Sequence, residues 1–161
     1  MPSLLLLLAF GAGAAISAQA AINGQLAASL SGNTIAAALF SFFSGTILLA
    51  LIGLSRGGLS DALAQLPAQP WSRLIGGLLG ASAIFCTVLL APRIGLSNLL
   101  ALVIAGQLVS SLLIDNYGLL GTAVRQVSLV KISGATVMLA GVLLTLFGDR
   151  LATLVLTRHL P

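Results

Sequence analysis

The sequence predicts an all-α integral membrane protein with five transmembrane helices, and three observations predict it. Hydrophobic residues make up 58% of the 161, charged residues 6%, and the mean hydropathy is +1.15. A soluble domain carries about 25% charged residues, so a chain of this composition belongs in lipid. The apolar residues also fall into five runs, residues 3–22, 34–54, 71–91, 97–114 and 132–148. At ~1.5 Å per residue each run crosses most or all of a ~30 Å hydrocarbon layer as a helix. Finally, the seven Lys and Arg stand singly near the ends of these runs, at interfacial depth.

Composition limits function as well. Asp61, Asp115 and Asp149 are the only acidic residues, and glutamate is absent. Cys86 is the only cysteine and His159, in the tail, the only histidine, so no intrachain disulfide can form and no Ser-His-Asp triad or His-based zinc site can be assembled within the membrane. No enzyme chemistry, metal or cofactor is expected. The net charge of +4 is spread over isolated cations rather than a patch, which excludes nucleic acid as a partner. The expected partners are the lipid bilayer and a small-molecule substrate.

The first span opens without a Lys or Arg and stays apolar well past 15 residues, so it reads as a retained helix rather than a signal peptide, despite Ala18-Gln19-Ala20. Gln19 and Asn23 lie one turn apart on a shared face. They are either interfacial polarity at a helix end or one polar wall of a path through the membrane. Residues 24–33 form an uncharged link. The second span carries Phe40, Phe42 and Phe43 among Ser41, Ser44 and Gly45, and Phe43 is a candidate apolar contact for a solute.

Residues 56–70 are a polar connection in which Leu59, Ala62, Leu63 and Leu66 recur at helical spacing, predicting a short surface helix. Trp71 opens the third span at interfacial depth, and Gly76 and Gly80 form a GxxxG that permits close helix approach. Pro92 is expected to stop this helix, leaving a tight turn before the fourth.

The fourth span is the least ordinary. Residues 97–114 are uncharged, yet Ser97, Gln107, Ser110, Ser111 and Asp115 fall within one arc of roughly 140° at ~100° per residue. Unpaired polar groups in hydrocarbon cost several kcal/mol, so this stripe should face protein or water. Gln107 and Ser111 are candidate substrate-binding residues; the alternative for Gln107 is an interhelical hydrogen bond. Asp115, at the membrane edge of the stripe, is a candidate coupling or gating group. The alternatives are plain hydration or pairing with Arg93 or Arg125. After a partly ordered connection, the fifth span carries Gly134 and Gly141 on one face, a flat strip suited to a subunit interface. Residues 149–161 form a short tail that is expected to lie on the membrane surface.

An ordered series of short motifs carries a resemblance. It comprises Gln19-Ala-Ala-Ile-Asn23, Ser41-Phe42 to Gly45-Thr46, Pro70-Trp71 with Gly76-Gly77 and Gly80, and Ala91-Pro92-Arg93-Ile94-Gly95. Gly106-Gln107, Asp115 with Gly118-Leu119-Leu120-Gly121, and Gly134 to Gly141 complete it. The chain resembles the YdcZ-type inner-membrane exporters, a five-helix branch of the drug/metabolite transporter superfamily. The resemblance implies a bacterial inner-membrane location and a half-size transporter that pairs with an inverted copy, giving ten helices. In that family some members are dual-topology homodimers, others paired subunits or fused duplicates. The related small multidrug resistance pumps couple efflux to protons through a glutamate in their first helix. Here Gln19 stands in the comparable region, so that coupling is not expected. Gly134 and Gly141 look like the glycine heptad in the last helix of those pumps.

The expected function is a secondary transporter, an exporter of a small organic solute, working by alternating access in a dimer. Gln19, Asn23, Gln107 and Ser111 would offer it neutral hydrogen bonds. The alternatives are a dual-topology channel, whose flux would not saturate, and a non-transporting membrane subunit, which would co-purify with a partner. Orientation is weakly specified. The side holding the N-terminus receives Arg56, Arg73, Arg125 and Lys131, against Arg93, Arg150 and Arg158 opposite. A bias of four to three predicts insertion in both orientations and an inverted homodimer; the alternatives are a single fixed orientation with a parallel dimer, or a separately encoded inverted partner.

Overall fold

The computed structural model describes the backbone of residues 2–157 and the side chains of residues 3–153. All regular secondary structure among them is helical. Five helical segments are long and apolar enough to cross a membrane: Ser3–Ser29, Thr34–Arg56, Trp71–Ile94, Leu96–Tyr117 and Leu129–Thr153. The chain divides into two compact units, Met1–Arg93 and Ile94–Pro161.

In the first unit, α1 (Pro2–Ser29) continues through Gly24, so the link expected at residues 24–33 shrinks to a turn. Gln25, Leu26, Ala27 and Ala28 are strong helix formers, and they outweigh the ~1 kcal/mol that one interior glycine costs. The turn positions Asn33 as the N-cap of α2 (Thr34–Arg56), where its side-chain oxygen accepts from the Ala36 N–H at 3.0 Å. A short helix, α3 (Leu59–Ala64), follows, then a 3₁₀ turn over Leu66–Ala68. Leu59 folds back so closely that a Cβ on Gly53 would stand 3.1 Å from its Cδ2.

The third span is divided into α4 (Trp71–Leu74) and α5 (Gly76–Ile94). Pro92 does not stop α5 as expected, but lies inside its last turn. The helix ends because Gly95 takes φ +81°, a conformation open to glycine and poorly open to other residues. Of the GxxxG pair, Gly80 comes near α2, its Cβ position 3.9 Å from Phe42 Cζ, while Gly76 meets nothing within 4 Å. The buried Ala27, Ala37 and Val88, with Leu26 and Ile84 packed around them, tie α1, α2 and α5 together. Small residues at this junction let the helix backbones approach, as membrane helices do when no hydrophobic effect drives them together.

The second unit consists mainly of α6 (Leu96–Tyr117) and α7 (Leu129–Thr157). Their connection is pinned rather than loose. The Arg125 N–H donates to the Asp115 carbonyl at 2.8 Å, and the Val127 N–H to Asn116 Oδ1 at 3.3 Å. Gly118 ends α6 at φ +61°, and a Cβ there would stand 2.7 Å from Val124 Cγ2 and 3.1 Å from the Thr122 carbonyl oxygen. Gly118→Ala therefore forces both a left-handed alanine, at ~1–2 kcal/mol, and a clash with the Val124 side chain beside a tight approach to the Thr122 carbonyl. It should lower the thermal midpoint of the purified protein, whereas Gly106→Ala, helical and in open space, should raise or preserve it. Equal midpoints for the two variants would refute this account of the turn.

The last helix runs on through Asp149 and Arg150 to Thr157 without a break, so this part of the tail continues the fifth span. Arg158 and His159, and with them the end of the tail expected on the membrane surface, lie outside the described residues.

Candidate functional site: a neutral polar cleft between the first two helices

Hydroxyl side chains in apolar helices mostly bond to their own helix. Ser44 Oγ donates to the Ser41 carbonyl at 3.0 Å, Thr46 Oγ1 to Phe42 at 2.8 Å, and Ser111 Oγ to Leu108 at 2.9 Å. Ser41 behaves differently. Its Oγ accepts from Gln19 Nε2 at 3.1 Å and from Asn23 Nδ2 at 3.2 Å, so one hydroxyl on α2 joins two carboxamides one turn apart on α1. Asn23, 5% exposed, is the buried polar residue among those described, and no buried side-chain polar atom among them lacks a partner.

These three residues form the polar patch of a cleft of about 560 Å³ between α1 and α2. On α1 it takes Ala15, Gln19, Ile22 and Asn23, successive turns of one face; on α2 it takes Phe40, Ser41, Ser44 and Gly45. Gly45 keeps the cleft open, since a Cβ there would touch nothing within 4 Å. No lining residue is charged. The arrangement can exchange hydrogen bonds with a solute through two carboxamides and two hydroxyls and can cover an apolar portion of it with Phe40. It provides no counter-ion, no nucleophile with a base, and no metal ligand set; no group of three His, Cys, Asp or Glu is found among the described residues.

The residues expected from the sequence divide accordingly. Gln19 and Asn23 are brought together, and Ser41, not among the residues expected to bind a solute, is what joins them. Phe43 is 61% exposed and does not line the cleft, whereas Phe40 does. The signal for Ser41 was present as spacing: Ser41, Ser44, Gly45 and Leu48 recur at i, i+3, i+4 and i+7, a small and polar stripe on an apolar helix.

Gln107 and Ser111 belong to α6 of the second unit and are exposed. The Gln107 carboxamide has no partner among the described residues. Asp115 is half-buried; its carbonyl holds the following connection, and its carboxylate makes no ion pair among the described residues. For Gly134 and Gly141 on α7, a Cβ at either position would meet no described atom of the second unit within 4 Å beyond the helix's own backbone.

The model of the family described as "Putative inner membrane exporter, YdcZ" matches residues 4–144. The chain belongs to the YdcZ family. Neither a curated protein nor a solved structure matches it. Membership in this exporter family, together with the five apolar helices, makes the chain a multi-pass inner-membrane protein of a transport family rather than an enzyme family.

Proposed function

We propose that this YdcZ-family chain is half of a secondary transporter that exports a small, uncharged, hydrogen-bonding organic solute by alternating access in an inverted homodimer. The observation that carries the reading is the uncharged polar cleft between α1 and α2, where Gln19, Asn23 and Ser41 gather in an otherwise apolar pair of membrane helices. A cation in hydrocarbon needs a paired acid, and the cleft has none. A neutral solute with an amide, hydroxyl or carbonyl needs only the donors and acceptors present.

The dimer completes what the single chain leaves open. Gln107 is exposed without a partner on a spanning helix, at a cost of several kcal/mol if lipid covers it. A second copy can turn it toward a shared aqueous path, with Ser111 beside it and Asp115 as the gating group. The open faces at Gly134 and Gly141 suit close packing of α7 against a helix of that copy.

The test is a thermal-shift screen of the purified protein followed by solute counterflow in liposomes. A ligand of the native state raises apparent stability by mass action. Neutral polar solutes should stabilise the protein and exchange across liposomes with saturation, and quaternary ammonium cations should do neither. Saturable exchange of such a cation, or flux that never saturates, would defeat this reading.

A further inference from the structure

A second cavity lies in the first unit, apart from the cleft. It occupies about 320 Å³ where the last turns of α1, the first residue of α2 and the last turn of α5 converge. Gly24, Ala28 and Gly32 line it with little side chain, and Arg93 and Thr34 are its donor-bearing side chains. Ala27 and Val88, buried in the helix junction, form its apolar floor.

The Arg93 side chain has no hydrogen bond or ion pair with any described residue. An arginine at a span end needs only water for its head group, and a solvated one requires no hole beside it. Here the hole is present and kept open: a Cβ on Gly24 or Gly32 would meet nothing within 4 Å. Its volume falls at the low end of small-ligand pockets, ~300–1,000 Å³. The guanidinium is permanently charged and presents a planar fork that matches an oxyanion, and the Thr34 hydroxyl supplies another donor. No acidic residue lines the cavity to compete for that fork.

We propose that this cavity is a phosphate-binding site in which Arg93 holds the oxyanion and Thr34 donates a further hydrogen bond. All three helices reach the cavity at their ends, so it opens at headgroup level. The same chemistry serves a lipid phosphate or a free phosphate, and the two are separable by experiment.

The full-length protein, exchanged into lipid-free non-ionic detergent, is titrated with phosphatidylglycerol and separately with inorganic phosphate while its thermal midpoint is followed. The midpoint should rise saturably. A response to inorganic phosphate identifies a free oxyanion as sufficient; a response to phosphatidylglycerol alone identifies the headgroup. Arg93→Gln should weaken the apparent affinity roughly ten-fold or more, the loss expected for a charge-assisted hydrogen bond, and Arg93→Lys should weaken it less. Gly24→Leu, which fills the cavity while keeping the arginine, should abolish the shift. Arg73→Gln removes a cation elsewhere in the unit and should change nothing. No shift with either probe, or a shift equal in wild type, Arg93→Gln and Gly24→Leu, overturns the proposal.

Discussion

Ser41→Ala should cost stability and transport together, while Gly45→Leu should cost transport alone. Ser41 Oγ is the acceptor shared by the Gln19 and Asn23 carboxamides, at 3.1 and 3.2 Å. Removing it leaves Asn23, 5% exposed, with a buried donor and no acceptor, a penalty of about 1–3 kcal/mol. Gln19 is only half-buried and can turn toward water, so its share is small. The thermal midpoint should therefore fall, and the loosened carboxamides should raise the substrate concentration needed for half-maximal exchange. Ser41→Thr keeps the hydroxyl and should restore much of both.

Gly45→Leu works by a different route. It leaves both bonds to Ser41 intact, improves helix propensity by up to ~1 kcal/mol and places a branched side chain in the cleft. Stability should hold or rise while counterflow disappears. Wild-type exchange in both variants would remove the cleft from the transport path. Loss in Ser41→Ala with wild-type exchange in Gly45→Leu would make the three-residue contact structural only.

The helices were legible in the sequence because lipid imposes a severe rule: a span must be long, apolar and nearly free of charge. Five such runs cannot be mistaken. The helix ends were less legible. Pro92 lacks an N–H, but within the last turn that forfeits a single bond, and it is Gly95, three residues on, whose backbone ends α5. Likewise α1 passes through Gly24 because one glycine does not outweigh the helix formers around it.

The candidate site was half legible. That Gln19 and Asn23 share a face follows from their spacing alone. That Ser41 is their partner does not, because most hydroxyls in these helices are taken up by their own backbone, and only the packing of α1 on α2 distinguishes Ser41 from Ser44. The polar stripe on α6 was equally visible, but Gln107 is exposed and its carboxamide meets no partner among the described residues, so spacing alone did not give it a role.

Four lysines added to the tail should confine insertion to one orientation and should nearly abolish transport. The N-terminal side of the membrane receives Arg56, Arg73, Arg125 and Lys131, and the opposite side Arg93, Arg150 and Arg158, with Arg158 beyond the described residues. Orientation follows the side richer in Lys and Arg near span ends, and a margin of one cation is too small to decide it. An inverted dimer needs both populations, because its two-fold axis lies in the membrane plane and each subunit must be the other turned over. The unpartnered Gln107 and the bare faces at Gly134 and Gly141 are the surfaces such a partner would cover. A reporter on the C-terminus should accordingly give signal from both sides of the membrane in the wild type. With four added lysines the C-terminal side leads by three cations, seven against four, and the reporter should collapse to one side. Transport should then return when a copy biased the opposite way is co-expressed, which a folding defect in the lysine variant would not permit. A wild-type reporter confined to one side, with counterflow intact, would rule out the inverted homodimer.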